Sequence, residues 1–157
     1  MTYGDIGTKL AALRENLDHL EQIPKGSFEE FSSDHRNVAS AIHYLQTSIQ
    51  ALIDLASWLL ARLALGAPKR SLEAFELLET RGHVPAGTTQ RVTPIIGFHP
   101  VGCHEARRNR VVHLYDRVDD RIVYDILTRH VPDLTEVLDL LLAIDAGDDG
   151  GSTAGTP

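Results

Sequence analysis

An all-α fold is what this sequence predicts, and three observations predict it. Apolar residues recur at three- and four-residue steps along most of the 157 positions. No stretch shows the apolar–polar alternation of a half-buried strand. Prolines and glycines fall between the periodic segments, where helices stop. With 43% hydrophobic residues the chain can bury one real core, and its length suits one domain.

The first helix is expected from about Asp5 to Gln22, with Ile6, Leu10, Leu13, Leu17 and Leu20 on its apolar side; Pro24 and Gly26 follow its end. Ser27 with Glu30 three residues on has the spacing of a capping box for a short turn. One long central helix is expected from Asp34 to Leu65. Val38, Ile42, Leu45, Ile49, Leu52, Ala56, Leu59 and Leu63 step by fours and threes along it. That is a coiled-coil-like seam on a helix of about 48 Å. Ile53, Leu55 and Leu60 add apolar surface beyond the seam. A single small core does not use it all, so a homodimer is expected, with a second copy against this helix. Gly66 and Pro68 are expected to end it.

Ser71–Arg81 forms the next helix, with Leu72, Phe75, Leu77 and Leu78 inside and Gly82 closing it. Another runs from about Thr88 through Pro94 to Phe98. After "HPVG", helical period resumes over Arg107–Val118, then over about Asp120–Arg129 and Asp133–Ile144. Residues 146–157 are small, turn-forming or acidic and are expected to be a disordered tail, leaving 1–145 as the domain.

The formal net charge of -7 excludes a generally basic body for gripping nucleic acid. Charge is uneven, however: Arg107, Arg108, Arg110, Arg117 and Arg121 face only three aspartates within residues 107–121. This basic island on an acidic chain can steer phosphate locally. The single cysteine, Cys103, excludes an internal disulfide, and no cysteine spacing fits zinc. The N-terminus lacks a basic head and apolar core, and the run from Ala51 to Ala67 is interrupted by Asp54 and Arg62. A cytoplasmic protein without membrane contact is expected.

Two constellations carry chemical potential. The long helix has a polar stripe of Arg36, Ser40, His43, Thr47, Gln50, Asp54 and Ser57. Such a stripe is equally well the solvated side of an amphipathic helix. Gln50 and Asp54, though, fall where that helix is most apolar, so Asp54 is expected to line a cleft or meet an arginine. The second constellation is "RNRVVHLY", residues 108–115. On one helix, Asn109, Arg110, His113 and Arg117 share a side; Val111, Leu114, Val118 and Ile122 share another. Tyr115, seven residues from Arg108, nearly aligns with it, although spacing alone favours core packing for this ring. Arginine can hold a phosphate through two parallel hydrogen bonds and stabilise charge that grows on it. Histidine, with an ordinary pKa near ~6.5, can accept a proton from a ribose 2′-hydroxyl and return one to a leaving oxygen. Arg108 and His113 stand about 140° apart on a helix at ~3.6 residues per turn. Either Arg108 swings at a helix start, or two copies of the helix face each other across a symmetric dimer.

These residues bring the chain close to a known family. "RNRVVHLY" resembles the R-x4-H-x-Y signature of HepT toxins in the HEPN superfamily, with Arg108, Asn109, His113 and Tyr115 in the matching places. "KLAALRENLDHLE", "FSSDHRNVASAIHYLQTSIQALIDLASWLL", "SLEAFELLETRGHVPAG" and "DRIVYDIL" resemble the corresponding segments, so the likeness runs from Lys9 to Asp139. The resemblance implies a HEPN-like helical bundle that dimerises, with the active cleft between protomers. It implies metal-free RNA cleavage to a 2′,3′-cyclic phosphate, with Arg108 and His113 as the catalytic pair and Asn109 orienting the site. It also implies a partner, an MntA-type nucleotidyltransferase antitoxin that transfers AMP onto Tyr115 and silences the toxin. No cofactor or metal is implied.

The chain departs from the family at "HPVGCHEAR", residues 99–107, where relatives run from "GF" directly into "RN". Pro100 and Gly102 are expected to break the helix that relatives continue, and Arg107 is an alternative to Arg108. His99, Cys103 and His104 lack a fourth ligand for a metal. Gln50 stands where relatives often carry glutamate, so any supporting role beside the pair passes to Asp54, with Arg110 as a further wall of the cleft. The leading expectation is an endoribonuclease toxin of a toxin–antitoxin pair acting on RNA. A helical module that docks a nucleotidyltransferase or nucleotide without cutting RNA is the alternative. A purely structural helical dimer would leave the basic face unexplained.

Overall fold

The computed structural model describes residues 3–98 and 118–148, and all regular structure among them is helical. In chain order the helices are α1 (Tyr3–Gln22), α2 (Phe28–Ser33), α3 (His35–Arg62), α4 (Ser71–Thr80) and α5 (Thr88–Phe98). After the gap come α6 (Asp120–Asp125), a π-helical turn over Ile126–His130, and α7 (Val131–Asp148). The expected helix over Arg107–Val118 lies outside the described residues apart from Val118, which precedes α6 as coil. The tail beyond Asp148 lies outside them too.

α3 organises the rest. Its 28 residues make a rod of about 42 Å, and α1, α2, α4, α5, α6 and α7 all touch it. The seam from Val38 to Leu59 is buried, and Leu63 is half-buried. Ile53, Leu55 and Leu60 are also buried, at 7%, 1% and 0% exposure, within this one chain. The surplus apolar surface behind the dimer expectation is therefore covered by the chain's own helices wrapped round α3. Each such leucine taken fully out of water contributes roughly 1.5–3 kcal/mol, which fixes α3 as the axis.

The helix ends follow local chemistry. Asp34 caps α3, accepting a hydrogen bond from the Arg36 backbone N–H at 2.9 Å. Ser27 caps α2 by accepting from Glu30 N–H at 3.1 Å, while the Glu30 carboxylate reaches back to Gly26 N–H, one residue beyond a standard capping box. α3 stops at Arg62, ahead of Gly66 and Pro68. Ala64 takes the left-handed conformation (φ 55°), and Leu65 N–H bonds Leu60 O at 2.9 Å. This is the closure usually given to glycine, and here Ala64 rather than Gly66 supplies it. α4 uses the expected residue: Gly82 (φ 75°) lets His83 N–H reach Leu78 O at 2.9 Å.

Two expected C-terminal helices are one continuous run. The Val131 N–H bonds Ile126 O, five residues back. A proline in an α-helix clashes with the carbonyl four residues earlier and donates no N–H. Here the wider π turn immediately before Pro132 makes room for its ring, and the chain passes into α7 without stopping. α7 also runs past Ile144 to Asp148. α6 is locked to α2 by Tyr124, whose ring packs against Phe28 and Phe31 and whose hydroxyl donates to Lys25 O at 3.2 Å. Arg121 lies over the Phe28 ring at 4.0 Å. Ile122 belongs to α6, capped by Asp119, and is 52% exposed. It therefore does not continue the apolar side of a 107–118 helix.

The Asp34 cap gives an acid-stability test. The Arg36 side chain, followed by its backbone N–H, holds the Asp34 carboxyl at about 2, below the ordinary 3.8. A lowered folded-state value stabilises the fold fully above pH 3.8, and this contribution disappears as pH falls towards 2. Asp34→Asn retains a capping acceptor without the titration. Its chemical-denaturation stability should track the wild type with an offset at neutral pH and converge on it across that window. A constant offset down to pH 2 would contradict the assignment.

Candidate functional site

The polar side of α3 meets α1 in antiparallel register. From the C-terminal half of α3 backwards, Asp54 pairs with Lys9, Thr47 accepts a 2.9 Å hydrogen bond from Asn16 Nδ2, and Tyr44 stacks on His19. Lys9, Asn16 and His19 recur at seven and three residues along α1, so one strip of that helix faces the stripe. Thr47 also donates to His43 O at 2.9 Å.

The cluster around Asp54 is the most enclosed part. Lys9 Nζ forms both a hydrogen bond and an ion pair with Asp54 Oδ2. Gln50 Nε2 donates to Asp54 Oδ1 at 2.8 Å, one helical turn away. Side-chain exposure is 40% for Lys9 and 20% for Asp54. A half-buried carboxylate needs such partners, since leaving it unpaired away from water is costly. Asp54 was expected to line a cleft or meet an arginine; among the described residues its charged partner is a lysine of α1. Lys9 escaped the sequence reading because its position opposite Asp54 depends on how two helices pair. The only sequence signal was its seven-residue spacing from Asn16.

Arg107, Arg108, Asn109, Arg110, His113 and Tyr115 lie outside the described residues, as do His99, Cys103 and His104. The elements that bound this segment are described. α5 begins where the Glu79 carboxylate accepts from Gly87 N–H at 2.9 Å and Thr89 N–H at 2.7 Å. Arg91 ties α5 to Glu136 of α7 at 2.5 Å. Phe98, which ends α5, and Val118, which precedes α6, both pack against the core. The scaffold thus holds both ends of the chain that carries the Arg/His pair. An open cleft of about 820 Å³ lies elsewhere, between the end of α1, the π turn and α7. Glu21, Glu136 and Asp139 outnumber Lys25 on its walls, so it repels phosphate. Among the described residues no three His, Cys, Asp or Glu side chains converge as a metal site, and no helix is long and apolar enough to cross a membrane.

A protein-family model described as Ribonuclease HepT-like matches residues 13–141. The chain belongs to this Ribonuclease HepT-like family. Its curated relatives include an mRNA nuclease HepT from Shewanella oneidensis, 24% identical over 86% of this chain and 94% of that protein. Another is a tRNA nuclease HepT from Aphanizomenon flos-aquae, 29% identical over 76% of this chain and 75% of that one. Among solved structures, the fold is similar to a tri-AMPylated Shewanella oneidensis HEPN toxin in complex with its MNT antitoxin. The TM-score is 0.71 at 23% identity, over 91% of this chain and 99% of that one. It is also similar to a toxin–antitoxin structure with AMP-PNP, with TM-score 0.68 and 23% identity over 90% and 99% of the two chains. The matched range of the HepT-like model contains the whole 108–115 motif and both Gln50 and Asp54.

The Lys9–Asp54 pair offers a check on the α1–α3 register. A double-mutant cycle with Lys9→Met and Asp54→Asn, followed by urea unfolding, should give a coupling of about 0.5–1 kcal/mol for a partly exposed pair. Strictly additive losses would mean that the two side chains do not meet in solution.

Proposed function

We propose that this HepT-like protein is the ribonuclease toxin of a toxin–antitoxin pair and cuts RNA without a metal. The observation that carries this is "RNRVVHLY" at 108–115, inside a family match that spans 13–141. Relatives named as mRNA and tRNA nucleases support RNA as the substrate. His113 takes the proton of a ribose 2′-hydroxyl, and that oxygen attacks the adjacent phosphorus. The bond to the 5′-oxygen breaks, a proton is returned to that oxygen, and a 2′,3′-cyclic phosphate remains. Arg108 binds the non-bridging oxygens and stabilises their growing charge, while Asn109 orients the phosphate. The protein acts as a homodimer. The roughly 140° between Arg108 and His113 on a rigid helix is then bridged by two copies, and two histidines are available for the two proton transfers.

Arg108→Ala and His113→Ala should each lower RNA cleavage by about a hundredfold or more, the usual scale for losing acid–base or electrostatic stabilisation. Circular dichroism should be unchanged. Cleavage should persist in EDTA, and the product should carry a 2′,3′-cyclic phosphate end. Chelation that stops cleavage would overturn the metal-free mechanism.

The partner is an MntA-type nucleotidyltransferase. Support comes from the toxin–antitoxin complexes that share this fold, one of them with an AMPylated toxin. Transfer of AMP from ATP to the Tyr115 hydroxyl, with release of pyrophosphate, places phosphate among Arg108, Arg110 and His113 and occupies the charges that RNA requires. Tyr115→Phe should therefore keep cleavage but escape silencing. Intact mass after incubation with the partner and ATP should rise by one or more AMP units in the wild type and stay constant in the variant. An equal rise in both would place the modification elsewhere.

A further inference from the structure

The first two-thirds of α3 has a composition unlike the rest of the molecule. Residues 35–53 contain no aspartate or glutamate, in a chain with 22 of them. His35, Arg36 and His43 are exposed on it, with Asn37, Ser40, Tyr44, Gln46 and Gln50 half-buried among them. α1 adds an aromatic ring to this face. His19 stacks on Tyr44 with ring centres 4.8 Å apart and planes 21° from parallel, and His43 meets Tyr44 edge-on with centres 5.4 Å apart. Three aromatic rings are thus joined at the surface, and the His19 side chain is 39% exposed. Two carboxylates lie nearby. Asp34 is held by Arg36 at 2.8 Å, and Glu15, 75% exposed, lies 3.7 Å from His19 Nε2.

Ring contacts between α1 and α3 need only two partners to join the helices. A third ring at the solvent edge, amides alongside, an arginine one heptad away and no carboxylate on the helix before Asp54 fit a different ligand. Single-stranded RNA is held by stacking of bases on aromatic side chains and by amide hydrogen bonds to base edges, with cations along the backbone. A folded protein partner would gain little from exposed histidines, and a duplex would call for a denser row of cations.

The geometry points to the His19–Tyr44–His43 face of α1 and α3 as a holding surface for single-stranded RNA, made of residues other than those of the 108–115 motif. It rests on the ribonuclease reading and adds where the strand is gripped. A base stacks on the exposed His43 ring and its neighbour on His19, while Arg36 lies about 10 Å along α3, close enough for the backbone of the same strand.

The test is binding of a fluorescein-labelled single-stranded oligoribonucleotide, followed by anisotropy in the His113→Ala background so that the strand stays whole. His43→Ala and His19→Ala should each weaken binding by about fivefold or more, the low end for loss of one stacked base. His43→Phe, which restores a ring, should recover most of it, a result that general damage to the fold would not give. His83→Ala, an exposed histidine beyond α4, should leave binding unchanged. Equal affinity for His43→Ala, His19→Ala and the parent would overturn this surface while leaving cleavage by the wild type as the measure of the ribonuclease reading. No binding by the parent would overturn the surface together with RNA as the ligand. A loss in His43→Ala that His43→Phe fails to recover would overturn the stacking role.

Discussion

Burial of the broad apolar surface of α3 is the constraint from which the other features follow. A 28-residue helix with one apolar stripe could lie on the surface of a bundle. Here Ile53, Leu55 and Leu60 extend the apolar surface round the rod, and α1, α4, α5 and α7 cover it. The consequence is an arrangement of short helices around one axis, in which each helix owes its place to the part of α3 that it shields. Most of their stability comes from that contact, since helices of six to eleven residues are marginal alone.

The same wrapping assigns the polar groups of α3. In its second half, polar side chains are squeezed to the α1 boundary, where Asp54 is satisfied by Lys9 and Gln50. Towards its N-terminus the boundary opens, and the side chains there are histidine, arginine, amide and hydroxyl groups with no carboxylate. One helix therefore carries a closed electrostatic contact at one end and an open, carboxylate-free face at the other. A membership in the HepT-like family gives this division a context, because a ribonuclease must accept a polyanion on a molecule whose net charge is -7.

The motif segment is bracketed by firmly placed elements. Glu79 and Arg91 fix α5 on one side; Asp119, Arg121 and Tyr124 fix α6 on the other. The π turn belongs to the same framework. By absorbing Pro132 it lets α6 and α7 act as one piece, so the exit of the segment is coupled mechanically to the core residues Leu134, Val137, Leu138 and Leu141.

The sequence by itself determined the helical class, the existence and type of six of the helices, the α3 seam and the family signature at 108–115. These are local properties: a 3.6-residue period, a capping side chain and a short motif are all written within a few turns of chain. Only the tertiary structure decided what each surface was for. Ile53, Leu55 and Leu60 read as surplus because periodicity counts apolar residues without saying how many helices surround them. Asp54 drew the expectation of an arginine because its lysine partner lies 45 residues away in α1. The end of α3 at Ala64 and the passage through Pro132 went against local propensity, since packing can hold a residue in a conformation that its own preferences disfavour. The juxtaposition of His19 with Tyr44 and His43 likewise had no sequence signal, because register between antiparallel helices is set by the whole buried interface.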